Sequence, residues 1–296
     1  MFHMMWLQLE VETTQDYVDQ LSIFFEEVGA VSVSISASSS EPIFDECNND
    51  ENAFWDKTKI TVLLSAACNI DNLIAQLDKF ANGKAIQDCR IESLEDKDWI
   101  DEFKSKYQPM IFLEKICISP SWCAPLKSKI PTIIVDPGLA FGTGAHPTTS
   151  LCIEWFCMNN IENKIVIDYG CGSGILSMVA AKLGARKVYA VDNDETALEI
   201  AQENIKNNKL GKIVSTVDTE NLSIPKADIL VANILLNPLM KLYGEFSRLT
   251  KKNSHIILSG VLNEQAEKCL ATYRDNFNMD KPVLKKSWVS LHGVRL

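Results

Sequence analysis

The second half of the chain constrains the fold most strongly, because helical and strand patterns alternate there from residue 147 onward. Such alternation predicts a doubly wound parallel sheet with helices on both faces. The tail, PVLKKSWVSLHGVRL, breaks the rhythm as a pair of strands, so we expect an antiparallel final strand. Helices are predicted at 147–160, 174–183, 194–208, 237–250 and 263–277, and strands at 164–169, 187–192, 212–217, 227–233 and 254–260.

Three glycines follow the first strand of this predicted sheet, in the segment VIDYGCGSGIL at 166–176. Gly170, Gly172 and Gly174 stand at the carboxyl end of the strand, where open α/β sheets bind ligands. A dinucleotide fingerprint has the spacing G-x-G-x-x-G, but position 175 here is Ile, which disfavours a nicotinamide cofactor. The observed spacing suits S-adenosylmethionine (AdoMet), which has no phosphate groups.

The next strand, in KVYAVDND, ends in an acid about 20 residues further on. The carboxylate of Asp192 can accept hydrogen bonds from both ribose hydroxyls of a nucleoside. Asp194 is expected to cap the following helix.

A second glycine-rich segment, DPGLAFGTGAHPTTS, precedes the first sheet strand. Its glycines permit a loop that closes over the cofactor. Thr148 and Thr149 follow Pro147 at a helix start, where free N–H groups and hydroxyls can meet the carboxylate of AdoMet. For His146 we expect a structural hydrogen bond.

The third segment of interest, DILVANILLNPL, contains a strand that ends at Asn233. Its amide accepts through oxygen and donates through nitrogen, so it can orient a nucleophilic amine. Asn233 is therefore the catalytic candidate. Cys171 is interpreted as a spacer between glycines, since methyl transfer needs no enzyme nucleophile.

The first third of the chain has the order strand, helix, strand, strand, helix, strand, which predicts a ferredoxin-like α+β domain at 1–96. Because it lacks the aromatic and basic strand motif of RNA-recognition domains, protein binding is favoured. A linker helix is predicted at 97–110, with Trp99, Phe103 and Tyr107 on one stripe. Short strands in FLEKICIS and TIIVDPG then lead into a second domain at 111–296.

The charge is distributed unevenly between these parts. Residues 1–96 hold 18 acidic and 5 basic side chains, against 21 and 24 in residues 97–296. An acidic domain repels nucleic acid and attracts a basic macromolecule. The six acids at 41–56 are expected to form a polar loop.

The chain begins with MFHMMWLQLEVE, which has no basic lead into an apolar core, and no apolar run approaches the roughly 20 residues of a membrane helix. We therefore expect a cytoplasmic protein with no membrane partner. The nine cysteines contain no C-x-x-C pair, which indicates reduced, mostly buried thiols without metal or disulfide.

The three segments, in this order behind an acidic ferredoxin-like domain, resemble the ribosomal protein methyltransferase family PrmA over nearly the whole chain. The resemblance implies AdoMet-dependent methylation of the eleventh protein of the large ribosomal subunit, at lysine side chains and at its N-terminal amine. It also implies that the cofactor contacts Thr149, Gly170, Asp192 and Asn233. Enzymes that methylate adenine or glutamine carry an Asn-Pro-Pro-Tyr motif, whereas this chain has no aromatic residue directly after Asn233.

Three other functions stay open from the sequence. One is a nucleic-acid methyltransferase that holds RNA with its first domain, which the acidic charge disfavours. Another is a non-catalytic, AdoMet-binding module of the ribosome, which would tolerate the loss of Asn233. The last is a nicotinamide oxidoreductase, which Ile175 disfavours.

Overall fold

The computed structural model describes residues 6–38, 57–65, 67–80, 85–94, 104, 107–125, 128–136 and 144–296. The chain divides into two compact units, Met1–Phe103 and Lys104–Leu296. The acidic segment at 41–56 and most of the predicted linker helix, including Trp99, lie outside the described residues. Met110, the last residue of that predicted helix, instead begins a strand.

The first unit has the ferredoxin-like order that the sequence predicts. Its four strands form a sheet in the order β2-β3-β1-β4, with every neighbouring pair antiparallel. Alternate residues of β1 and β3, such as Val11 and Val62, face α1 and α2 and form the core with Leu21 and Phe25. The elements are β1 (Trp6–Thr13), α1 (Val18–Glu27), β2 (Ser32–Ala37), β3 (Thr58–Ser65), α2 (Ile70–Lys79) and β4 (Asp88–Leu94).

The second unit contains a small sheet and a large one. The small sheet pairs β5 with β6 antiparallel and β6 with β7 parallel. The large sheet has the order β10-β9-β8-β11-β12-β15-β13, and β14 pairs with β15. Its strands are β8 (Ile165–Tyr169), β9 (Lys187–Asp192), β10 (Val214–Asp218), β11 (Ala227–Asn233), β12 (Thr250–Leu262), β13 (Phe277–Met279), β14 (Val283–Lys285) and β15 (Trp288–Arg295), and those of the small sheet are β5 (Met110–Phe112), β6 (Ile116–Ser119) and β7 (Thr132–Ile134).

The helices of the second unit cover the large sheet on both faces, with a separate apolar core on each. Strand β8 shows the division, because Val166 belongs to one core and Ile167 to the other. The doubly wound Rossmann-like fold is confirmed. The helices are α3 (Pro147–Met158), α4 (Ile175–Lys182), α5 (Glu195–Asn207), α6 (Leu236–Lys241), α7 (Tyr243–Leu249) and α8 (Ala266–Tyr273).

The antiparallel end of the large sheet is more extensive than predicted. Strand β15 runs antiparallel to β12 and pairs with β14, as the predicted terminal strand pair requires, but β13 also pairs with β15. The helix predicted at 263–277 ends early, and Phe277 begins β13. The Phe277 side chain is buried under the guanidinium of Arg295, whose Cζ lies 5.3 Å from the ring centre.

Two other predicted elements are divided in the structure. The helix predicted at 237–250 breaks at Leu242, whose backbone angles of −86° and 0° leave the helical range. The strand predicted in FLEKICIS turns at Leu113 and Glu114, which adopt positive φ values of 45° and 57°. The periodicity of a sequence does not indicate which non-glycine residues adopt a positive φ.

Eight cysteines lie among the described residues, and all are free thiols. Five of them are buried, as predicted for most, but Cys89 is exposed on the edge strand β4. Within the described parts of the chain, no helix is both long enough and apolar enough to cross a membrane.

Candidate active site

The order in which successive strands are added to the sheet reverses beside β8, and the cavity opens at this point. From β8 the chain builds β9 and β10 on one side, while β11 and β12 lie on the other. Such a switch point leaves a crevice at the carboxyl ends of the strands. A cavity of about 600 Å³ lies there, which is the size of a site for a small organic ligand.

All five residues predicted to bind the cofactor line this one cavity: Thr149, Gly170, Gly172, Asp192 and Asn233. They come from the start of α3, the turn after β8, and the ends of β9 and β11. Of the glycines expected in a closing loop, Gly138 and Gly142 lie outside the described residues.

The cavity wall also contains residues that the sequence reasoning missed. Thr219 follows β10 directly, so its position at a strand end could have identified it as a residue of the site. Tyr169, the last residue of β8, supplies an aromatic ring, although the segment after Asn233 has none. The remaining apolar wall residues belong to helices and the segment after β11, and include Leu176, Ala197, Ile200, Ile234, Pro238 and Leu242.

The turn after β8 requires glycine for steric reasons. Gly170 has a φ of +74°, and a Cβ added to it would overlap Cγ2 of Ile234. The N–H groups of Gly170 and Cys171 both donate to the carbonyl of Val191 on β9, at 2.8 and 3.0 Å. The turn is thereby fixed against the neighbouring strand with its backbone exposed to the cavity.

Asp192 connects the glycine turn to its own strand end. One carboxylate oxygen accepts the N–H of Gly172 at 2.9 Å, and the other accepts the N–H groups of Asn193 and Asp194 at 2.9 and 3.2 Å. A carboxylate has about four lone-pair sites, so acceptor capacity remains for a ligand hydroxyl. Asp194 caps α5 by accepting the N–H of Thr196, as predicted.

Asp168 holds the helix after the glycine turn. Its buried carboxylate accepts both the N–H and the hydroxyl of Ser177, at 2.9 and 2.7 Å. Burial raises the pKa of Asp168 to about 7, although the two hydrogen bonds from Ser177 oppose the rise. The proximity of Asp192 raises the pKa further.

Thr149 and Asn233 form a pair at one end of the cavity. The side-chain nitrogen of Asn233 donates to the Thr149 hydroxyl at 3.2 Å. The side-chain oxygen of Asn233 is buried and accepts no hydrogen bond from any of the described residues. A buried acceptor without a donor costs about 1–3 kcal/mol, so this atom favours a ligand that brings an N–H group.

The surroundings of His146 and Cys171 fit structural roles. The ring of His146 caps α3, with its Nδ1 atom 2.7 Å from the Thr148 hydroxyl, and burial lowers its pKa. The ring also packs edge-on against Trp288 at 5.1 Å. Burial raises the pKa of the Cys171 thiol far above neutrality, which agrees with its interpretation as a spacer.

A bare glycine turn and a strand-end carboxylate at a switch point form a site for a nucleoside cofactor in a Rossmann-like fold, and the family match below makes this class a methyltransferase whose methyl donor is AdoMet. The sequence model of the ribosomal protein L11 methyltransferase (PrmA) family matches residues 5–296. The chain belongs to this family.

The relatives support the assignment over the whole length of the chain. The ribosomal protein L11 methyltransferase of Nitrosococcus oceani is 38% identical over 292 residues, which cover 99% of this chain and 100% of the relative. That of Shewanella woodyi is 40% identical over 296 residues, with coverage of 99% and 100%. A crystal structure of ribosomal protein L11 methylase from Lactobacillus delbrueckii subsp. bulgaricus superimposes with a TM-score of 0.57 at 29% identity, covering 64% of this chain and 99% of that one.

The raised pKa of Asp168 gives a prediction about stability and pH. Because the folded protein favours the protonated carboxyl, the stabilising contribution of Asp168 is complete below its unfolded pKa of about 3.9 and is lost as the pH rises through 7. Asp168→Asn removes this titration. We therefore expect the variant to gain stability relative to the wild type, by roughly 2–3 kcal/mol between pH 5 and pH 8. Urea unfolding of both proteins at the two pH values measures this, and an equal difference at both would contradict the account.

Proposed function

We propose that this protein transfers methyl groups from AdoMet to lysine side-chain amines and to the N-terminal amine of ribosomal protein L11. The family assignment supports the substrate. The observation that carries the chemistry is the buried, unsatisfied side-chain oxygen of Asn233 at the cofactor cavity. An amine donates an N–H to such an acceptor and so presents its lone pair in a fixed direction.

The residues of the cavity fit AdoMet in three places. The carboxylate of Asp192 would accept hydrogen bonds from the ribose hydroxyls, and the bare backbone at Gly170 and Gly172 would permit close approach of the ligand. The hydroxyl of Thr149 accepts from Asn233 and so retains its own proton to donate to the carboxylate of the methionine end. When bound, AdoMet supplies an electrophilic methyl group on its sulfonium.

The substrate amine must lose a proton before it attacks, because lysine has a pKa of about 10.4. The wall beside Asn233 is apolar, with Ile234, Pro238 and Leu242, and desolvation there lowers the pKa of an amine. Tyr169 is not suited to act as a base, since burial and the nearby charge of Glu245 raise its pKa to about 12.

Positioning supplies most of the rate enhancement in this proposal. Holding two reactants in line can contribute roughly 7–11 kcal/mol by removing orientational freedom. The Asn233 amide is fixed by its bond to Thr149, so the direction of the incoming amine is set before the cofactor and substrate meet.

We also propose that the first unit captures the protein substrate. Residues 1–96 carry a net charge of −13, which attracts a basic ribosomal protein and disfavours RNA. We place the reaction in the cytoplasm, where free thiols such as those of this chain persist.

The role of Asn233 is tested by Asn233→Ala. Because the amide acts on the amine in the transition state, we expect single-turnover methyl transfer to fall by more than tenfold, while AdoMet affinity changes less. Mass spectrometry of recombinant L11 after incubation with AdoMet measures the reaction and locates the methyl groups on lysines or the N-terminus. Full activity in a folded variant would reject the catalytic role of Asn233, whereas a wild type that binds AdoMet but transfers no methyl group would favour a function as a non-catalytic AdoMet-binding module.

The capture role is tested by comparing the full chain with residues 104–296. The truncated protein should bind AdoMet normally, because every predicted cofactor residue lies in the second unit, but should methylate L11 far more slowly. For the full chain, added salt should raise the KM for L11, since charges are screened beyond roughly 8 Å at physiological ionic strength. Equal rates of the two proteins would exclude the capture role, and preferential binding of RNA by the first unit would point to a nucleic-acid substrate.

A further inference from the structure

The chain leaves β11 between two glycines that belong to the two neighbouring strands. On one side Ala232 pairs with Tyr169, and Gly170 follows Tyr169. On the other side Asn233 pairs with Ser259, and Gly260 follows Ser259. Ile234, the first residue after the strand, therefore passes between Gly170 and Gly260.

Both glycines are in close contact with Ile234. A Cβ at Gly170 would overlap the Cγ2 atom of the Ile234 side chain. A Cβ at Gly260 would overlap the carbonyl oxygen of Ile234 and would lie 2.7 Å from the carbonyl carbon and 3.1 Å from the nitrogen. Gly170 thus packs against the side chain of Ile234, and Gly260 packs against its backbone.

Gly260 also lies at an irregularity of β12. The register between β12 and β15 shifts between Ser259 and Val261, so Gly260 is the extra residue of a bulge, with a φ of +86°. A bulge bends its strand locally and is frequent beside active sites. Here it brings the backbone of β12 against the peptide that follows Asn233.

We infer that Gly260 is a positioning residue for the methyl transfer, which acts through Ile234 on Asn233. This inference rests on the proposed role of Asn233. The peptide that joins Asn233 to Ile234 fixes the backbone from which the Asn233 side chain projects. That side chain is long enough to reach Thr149 with its nitrogen, at 3.2 Å, while its oxygen is buried and accepts no hydrogen bond from the described residues.

The geometry sets the size of the expected effect. With a Cβ at residue 260, the carbonyl carbon of Ile234 must move from 2.7 Å to an ordinary contact of about 3.5 Å. Because Asn233 directly precedes Ile234, we expect this shift of roughly 0.8 Å to displace the Asn233 amide by up to a similar distance. A misplacement of about 1 Å in an active site can reduce the rate about 100-fold.

A matched control separates positioning from loss of stability. Gly184 has a φ of +99°, so alanine there adopts the same unfavourable backbone region. It lies in the turn between α4 and β9 and does not line the cavity, and the atoms nearest to an added Cβ belong to Glu162, at ordinary distances of 3.5 Å or more. Gly184→Ala therefore introduces backbone strain without displacing Asn233.

The experiment measures single-turnover methylation of L11, the KM for L11, the Kd for AdoMet and the melting temperature of both variants. For Gly260→Ala we expect kcat to fall about 100-fold, with KM and Kd each within about threefold of the wild type. For Gly184→Ala we expect a lowered melting temperature and a kcat within about twofold of the wild type. A Gly260→Ala kcat within threefold of the wild type, or an equal loss in Gly184→Ala, would overturn the inference.

Ile234→Ala decides the question if Gly260→Ala does not fold. This variant removes the side chain that Gly170 bounds and introduces no clash, so Asn233 becomes less well fixed. A fall in kcat of about tenfold with an unchanged pH dependence of kcat supports the positioning role, because loss of the apolar wall would instead shift that pH dependence upward, and an unchanged kcat overturns it. Full activity of Asn233→Ala would reject the role of Asn233, and no methylation of L11 by the wild type would reject the proposed function itself. Activity lost in Asn233→Ala and retained in Gly260→Ala rejects only the role of Gly260.

Discussion

The site depends on the carboxylate of Asp192, which three backbone N–H groups hold at the end of β9. One of these groups belongs to Gly172, so the carboxylate joins the glycine turn after β8 to the neighbouring strand. Asp168 holds the far side of the same turn through Ser177. The two acids therefore fix a turn whose three glycines have no side chains with which to pack, and the cavity keeps its shape because both ends of the turn are attached to the sheet.

The sequence predicts the site well because the site is built from strand ends. Periodicity locates the ends of β8, β9 and β11, and a parallel sheet brings those ends to one edge. Asp192 and Asn233 follow from that rule alone. The wall residues Pro238 and Leu242 do not follow from this rule, because their positions depend on where a helix breaks. The break at Leu242, the positive φ of Leu113 and the pairing of β13 with β15 result from tertiary packing, which local patterns do not record. The pKa of Asp168 likewise depends on burial, not on its neighbours in sequence.

The arrangement explains how a site without a dedicated base in this proposal can methylate amines. Thr149 fixes the Asn233 amide, the glycines on either side of Ile234 fix the backbone below it, and the apolar wall favours the neutral form of the substrate amine. Each contribution acts on geometry or solvation. In this proposal the second unit thus positions the two reactants, while the acidic first unit captures the substrate.

The central claim is that Asp192 receives the ribose of the cofactor, and calorimetry can test it directly. Wild-type protein is titrated with S-adenosylhomocysteine and with an analogue that lacks both ribose hydroxyls. Since hydrogen bonds to a charged group contribute about 1.5–3 kcal/mol, the wild type should prefer the natural ligand by a factor between about 10 and 150. Asp192→Ala should lose this preference, while Asp218→Ala, at the paired end of β10, should keep it. A folded Asp192→Ala variant that still discriminates between the two ligands as strongly as the wild type would contradict the account.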